Sequence, residues 1–158
     1  MALQLAPTTI YLESYGEYMS KEELGRDLKL VELDLGYDLA SSPRGDLTTI
    51  GESYNLAQAI ILRLMTMEGE LTDLGLSSYG SRLHELIGEL NNENTRQMAR
   101  NYAYECVSQD SRIRRIVDIS VETVKGEPNR IDVFITVEPV GSGELIEIMY
   151  PFSFEVES

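Results

Sequence analysis

The sequence predicts an α+β domain: about three helices followed by a three-stranded antiparallel meander, with an extended N-terminal arm. Three observations lead there. Apolar residues recur at helical spacing between Ser53 and Val107. After Gln109 the spacing becomes two and holds through three runs separated by short turns. The chain has 158 residues, 42% hydrophobic and 25% charged, which is the size and composition of one folded domain. Helices and strands segregated along the chain in this way favour a sheet packed on helices.

The elements follow in order. Residues 1–40 form the arm, whose first 30 residues mix Thr8, Thr9, Tyr11, Tyr15 and Tyr18 without periodicity and have at most a helical turn near Lys21. Within it, Val31, Leu33, Leu35, Tyr37 and Leu39 alternate with polar residues or glycine, predicting one strand with a buried face. Residues 41–158 form the domain, with helices over 53–107 and the sheet over 114–157. Ser41 to Asp46 is a loop by its turn chemistry. Leu56, Ile60 and Leu64, with Ala57 and Ile61, mark the first helix, begun near Glu52 or Ser53 and stopped by Gly69. Leu71 to Tyr79 reads as a loop, and Ser81 to Leu90 as a short helix with Leu83, Leu86, Ile87 and Leu90 on one side. Asn94 or Thr95 would cap a third helix whose inward stripe is Met98, Tyr102 and Cys106. Val117 to Thr123, Ile131 to Val137 and Ile146 to Val156 are the strands, and Pro151 requires a bend or an edge position because it cannot donate to a ladder.

Charge narrows the partners. Lys and Arg number 13 against 27 Asp and Glu, a net charge of −14 that opposes binding to nucleic acid or to an anionic membrane. By segment the balance is −6 over 1–52, −4 over 53–93, +3 over 94–116 and −7 over 117–158. The positive island holds Arg96, Arg100, Arg112, Arg114 and Arg115. It is either a solvated face balancing nearby carboxylates or a docking site. The longest apolar stretch, Leu56 to Leu64, is far short of the roughly 20 residues that span a bilayer. The N-terminal residues lack the pattern of a secretory signal, so synthesis and assembly in a cytoplasm are expected.

Most site chemistry is excluded by counting. His84 is the one histidine and Cys106 the one cysteine, and Cys106 lies on the inward stripe of a helix, so neither a Cys-His dyad nor a zinc site of that type is expected. Asp34, Asp38 and Asp46 lack calcium-loop spacing, and Gly141-Ser142-Gly143 has no following Lys-Ser/Thr. No catalytic residue, metal or cofactor is therefore expected. Pairs such as Glu68 with Glu70 or Glu85 with Glu89 meet the bare requirement of a glycosidase, but among 27 acids such pairs arise by chance.

Particular residues carry a family resemblance. Asn55-Leu56-Ala57-Gln58-Ala59-Ile60 leads through Leu64 and Thr66 to Gly69-Glu70; Tyr79-Gly80-Ser81-Arg82-Leu83 follows; an Arg-bearing helix then ends in Asp110-Ser111-Arg112-Ile113 before an alternating strand. Over roughly Asp46 to Val156 this resembles the baseplate wedge family of contractile tails. Its members are phage baseplate assembly protein W and lysozyme-like wedge proteins, with counterparts in tailocins and type VI secretion. That family carries Glu-Pro-Arg at the end of its last helix, where Asp110, Ser111 and Arg112 stand here. The loss of proline implies a less rigid turn.

The resemblance implies a structural protein, not an enzyme, located in a tail baseplate or an equivalent injection machine. Its partners would be a large baseplate wedge protein forming a core bundle, the tail sheath protein, and hub or spike proteins. Docking on the bundle would use Asp110, Arg112, Arg96 and Arg100. The strands bearing Ile131, Val133, Ile135, Ile146, Ile148, Phe152 and Phe154 would template the first sheath ring by accepting a strand. The alternatives are a peptidoglycan-cleaving, lysozyme-like hydrolase and a soluble acidic adaptor domain.

Overall fold

The computed structural model of the chain describes residues 9–12, 24–33 and 36–156. Eight strands and two α-helices run in the order β1 (Thr9–Leu12), β2 (Arg26–Leu28), β3 (Leu30–Leu33), β4 (Gly36–Leu39), β5 (Thr49–Gly51), α1 (Glu52–Met65), α2 (Glu93–Ser108), β6 (Ile113–Thr123), β7 (Arg130–Pro139) and β8 (Ile146–Ser153). The main sheet is antiparallel, in the order β1-β8-β7-β6. Two small sheets pair β2 with β5 and β3 with β4.

The expected class is corrected by this architecture. Among the described residues there are two α-helices and not about three, and three sheets instead of a single three-stranded meander. Ser81 to Leu90 contains only a 3₁₀ segment, Leu83–Leu86, bracketed by Gly80 and Gly88 at positive φ. Too few residues lie between those two breaks for an α-helix to repay its nucleation. The predicted strand from Val31 to Leu39 is two strands paired with each other, Leu30 opposite Leu39 and Leu33 opposite Gly36, and Leu33 and Leu39 stay exposed. Within the expected extended arm, Thr9–Leu12 is a strand that lies on β8, with Ile10 opposite Ile148. The helical turn expected near Lys21 lies outside the described residues.

Both helices cover one face of the main sheet. Leu56, Ala57, Ile60 and Leu64 of α1 and Ala99, Ala103, Cys106 and Val107 of α2 are buried against Ile119, Ile131, Val133, Ile135, Val137, Ile146 and Ile148. Because strand side chains alternate, every second residue of β6, β7 and β8 points to the opposite, helix-free face. The start of α2 is capped by Asn92, whose side chain accepts from Thr95 N–H, and not by Asn94 or Thr95. The adjacent asparagine at 91 is engaged too, donating to Pro128 C=O and Thr123 Oγ1. Pro151 lies on β8 beyond the reach of β1, so its missing N–H falls at a local edge, as one of the two expectations had it.

Candidate functional site

The residues that carry the family resemblance prove to be fastenings. Asn55 is buried on α1 and its side chain donates to Leu24 C=O at 2.9 Å. One turn on, the Gln58 amide accepts from Leu30 N–H and donates to Leu28 C=O, and so stands in for a neighbouring strand along the 28–30 segment. Ser81 is buried, bonds Leu64 C=O at the end of α1 through its hydroxyl, and pairs by backbone with Thr66 and Glu68. Gly80 makes that approach possible: a Cβ there would lie 2.6 Å from Thr66 O, and φ is +116°. Arg82 forks onto both oxygens of Glu85 at 2.9 Å and lies over the Tyr102 ring, 4.5 Å from its centroid. Cys106 is buried, and that burial pushes its thiol up to about 12.

The four residues expected to dock are not one cluster. Arg96 and Asp110 are fourteen positions apart near opposite ends of α2, about 20 Å at helical rise. Arg96 bonds Glu93 and Asn91, and Arg100 donates from Nε to Ile119 C=O at 2.7 Å, tying α2 to β6. Asp110 and Arg112 do come together, but on each other: Nε to Oδ1 is 2.9 Å and Nη2 to Oδ2 is 2.7 Å. The Arg112 N–H also bonds Asp110 Oδ1, an Asx turn that holds the α2–β6 corner where the family's proline would stand. The looser turn implied by the missing proline is thus offset by side-chain bonds.

Sequence reasoning placed Arg114 and Arg115 in the positive island without assigning them a role. Both reach Glu138, whose carboxyl is held below its ordinary value first by the Arg115 hydrogen bond and also by Arg114. Two guanidiniums on one carboxylate leave a positive excess, and their side chains are 68% and 64% exposed. The signal was the density of arginine after Asp110; only the fold shows which of those arginines face outward.

The seven residues expected to mark template strands sit in the core. Ile131, Val133, Ile135, Ile146 and Ile148 are at most 1% exposed, and Phe152 and Phe154 pack edge to face at 5.5 Å. The strand edges, not these side chains, are what a partner strand could meet. Among the described residues β6 has β7 on one side and no strand on the other, over eleven residues, and β1 covers only Ile146 to Met149 of β8. Beside the β6 edge runs a groove of about 170 Å³ lined by Arg100, Asn101 and Tyr104 of α2 and by Ile116 to Ile119. A second groove, of about 640 Å³, lies between α1 and the small sheets. Among the described residues each is lined by a single carboxylate, Asp118 in the first and Glu32 in the second.

No family model matches the chain, and no curated protein matches it. Among solved structures it is similar to a protein of Geobacter sulfurreducens described as a "putative tail lysozyme", at a TM-score of 0.56 and 19% identity. The similarity covers 69% of this chain and 97% of that one. At that identity the likeness is one of fold, and the chain shares the fold of the Geobacter protein over about two thirds of its length.

Proposed function

We propose that this chain is a structural wedge component of a contractile tail or injection machine, docking on a baseplate core and offering a sheet edge to the first sheath ring. The observation that carries the reading is the fold shared, over 69% of this chain, with a protein described as a tail lysozyme. Two surfaces suit the role. The α2–β6 corner presents Arg114 and Arg115, whose planar forks match acidic partners bidentately. The β6 edge and its groove suit strand addition, with the Ile119 carbonyl, now held by Arg100, to be released on docking. Core-bundle docking through Asp110 and Arg112 then works by holding the corner, with the exposed guanidiniums making the contact.

The neighbour's description raises a second reading, peptidoglycan hydrolysis. A glycosidase needs two carboxyl groups about 5–9.5 Å apart across a cleft. Neither groove brings two carboxylates together among the described residues, which favours the structural role over that chemistry.

The test is copurification from the native host, with captured proteins identified by mass spectrometry. Capture of a large wedge protein and a sheath protein is expected, and Arg114→Ala, which leaves Arg115 on Glu138, should lower the wedge yield by about tenfold at unchanged melting temperature. Wild-type protein that captures neither overturns the reading. Clearing of a peptidoglycan suspension that one carboxylate substitution abolishes would replace it with the hydrolase.

A further inference from the structure

The helix-free face of the main sheet has an ordered chemistry that neither the fold nor the proposed role uses. Register places its residues in cross-strand rows. Asp118, Thr136 and Glu147 form one row, Ser120, Phe134 and Met149 the next, and Glu122, Asp132 and Pro151 the third. Strands lie about 4.8 Å apart and each row is two residues, about 7 Å, from the next. The face is therefore an apolar band between two acidic bands about 13 Å apart. Phe134 is 36% exposed at its centre.

The charges on this face are paired only at its ends. Arg114 and Arg115 meet Glu138 at one end, and Arg130 meets Glu127 at the other. Asp118, Glu122, Asp132 and Glu147 between them make no ion pair among the described residues, although Arg130, two residues along β7, partly offsets the Asp132 charge. Glu122 and Asp132 are directly opposite each other, a like-charge cross-strand pair that destabilises a sheet. Asp132 Oδ1 is shielded from solvent without a hydrogen-bond partner. These costs fall on a fold whose other face is well packed.

We propose that this face is a docking surface for a basic amphipathic helix of a partner protein, its central apolar residue seated on Phe134 and Met149 and its Lys or Arg residues on the two acidic rows. The spacing fits a helix laid along the strands, because cations about eight residues apart lie about 12 Å apart and an apolar residue midway faces the same side. A second copy of this chain is opposed, since four carboxylates would face four. The surface borders the corner and shares Asp118 with the groove beside the β6 edge, but it does not depend on the tail reading.

The test uses a synthetic helical peptide of about 15 residues with two lysines about eight apart and a leucine midway, titrated into ¹⁵N-labelled protein. Amide shifts are expected at Ser120, Phe134, Thr136 and Met149. Glu122→Gln with Asp132→Asn should weaken binding about tenfold, as should Phe134→Ala, while Glu89→Gln, an acid outside this face, should not. The double neutralisation should also raise the melting temperature, because it removes the opposed charges, so lost binding cannot be laid to unfolding. A wild-type protein that does not bind the peptide, equal binding of a scrambled peptide of the same composition, or equal weakening by Glu89→Gln would overturn the proposal.

Discussion

Asp110 shows how one side chain can hold a corner of the fold. Burial alone would raise its pKa, but the Arg112 side-chain and backbone bonds outweigh that and keep the carboxyl below its ordinary 3.8. A carboxyl depressed in the folded state contributes stability above its unfolded pKa and loses that contribution as pH falls through the folded value. Asp110→Asn is therefore expected to cost about 1–3 kcal/mol at pH 7 in urea unfolding, with the gap to wild type closing as pH drops from about 4 toward 2. A gap that stayed constant over that range would rule out the linkage. Asp132 has the opposite sign: burial first, then Glu127 and Glu122, raise its pKa against the lowering by Arg130, so its charge costs stability at neutral pH. The sequence marked Asp110 and Arg112 as important, yet not that their first partner is each other. Spacing of two across a turn says nothing about whether side chains converge or diverge; the backbone of the Asx turn decides it.

At the scale of elements, the junction between the end of α1 and residues 80–83 holds the closest backbone approach to any described glycine. The Met67–Ser81 bridge brings two backbones together, and Gly80 sits within 3 Å of three backbone atoms once a Cβ is imagined on it. Gly80→Ala combines a left-handed φ with a clash against backbone that cannot swing aside, and should cost about 2–4 kcal/mol in denaturant unfolding. Gly126→Ala, at φ +88° with open space around it, is the control and should cost about 1 kcal/mol. Helices α1 and α2 and strands β6 to β8 were legible because each buries a long, regular stripe. The 81–90 segment was not: its leucines do turn inward at Leu83 and Leu86, but the flanking glycines leave room only for a 3₁₀ turn. Nor was Thr9–Leu12, whose four residues take their pairing from a strand far along the sequence.

Across the whole molecule the net charge of −14 resolves into faces. Acids occupy two rows of the open sheet face, and the arginines of the positive island are spread from the start of α2 to the start of β6. The arithmetic by segment found the island but not this spread, because summing along the chain ignores that a 16-residue helix carries its two ends about 24 Å apart. Many carboxylates on one molecule repel one another, and in every described ion pair except Arg112–Asp110 at least one partner is 42% exposed or more, which weakens the attraction. Added salt should therefore stabilise the protein. A rise of about 2–5 °C in melting temperature is expected between about 10 mM and about 300 mM sodium chloride, measured by scanning fluorimetry. A fall would mean that screened attractive pairs outweigh the repulsion.

The pairing of Thr9–Leu12 with Ile146–Met149 also sets an order of events during synthesis. A ribosome adding about 5–20 residues each second needs on the order of ten seconds to go from Leu12 to Ile146. Throughout that interval β1 has no ladder to join, and once β8 emerges its hairpin with β7 closes over a far shorter loop than β1 must. The last seat filled in the main sheet is thus the one beside β8. For that moment another extended segment of suitable pattern can compete with β1, which holds the advantage of its tether, so the rate of β1 docking, and not only its final stability, governs who sits there.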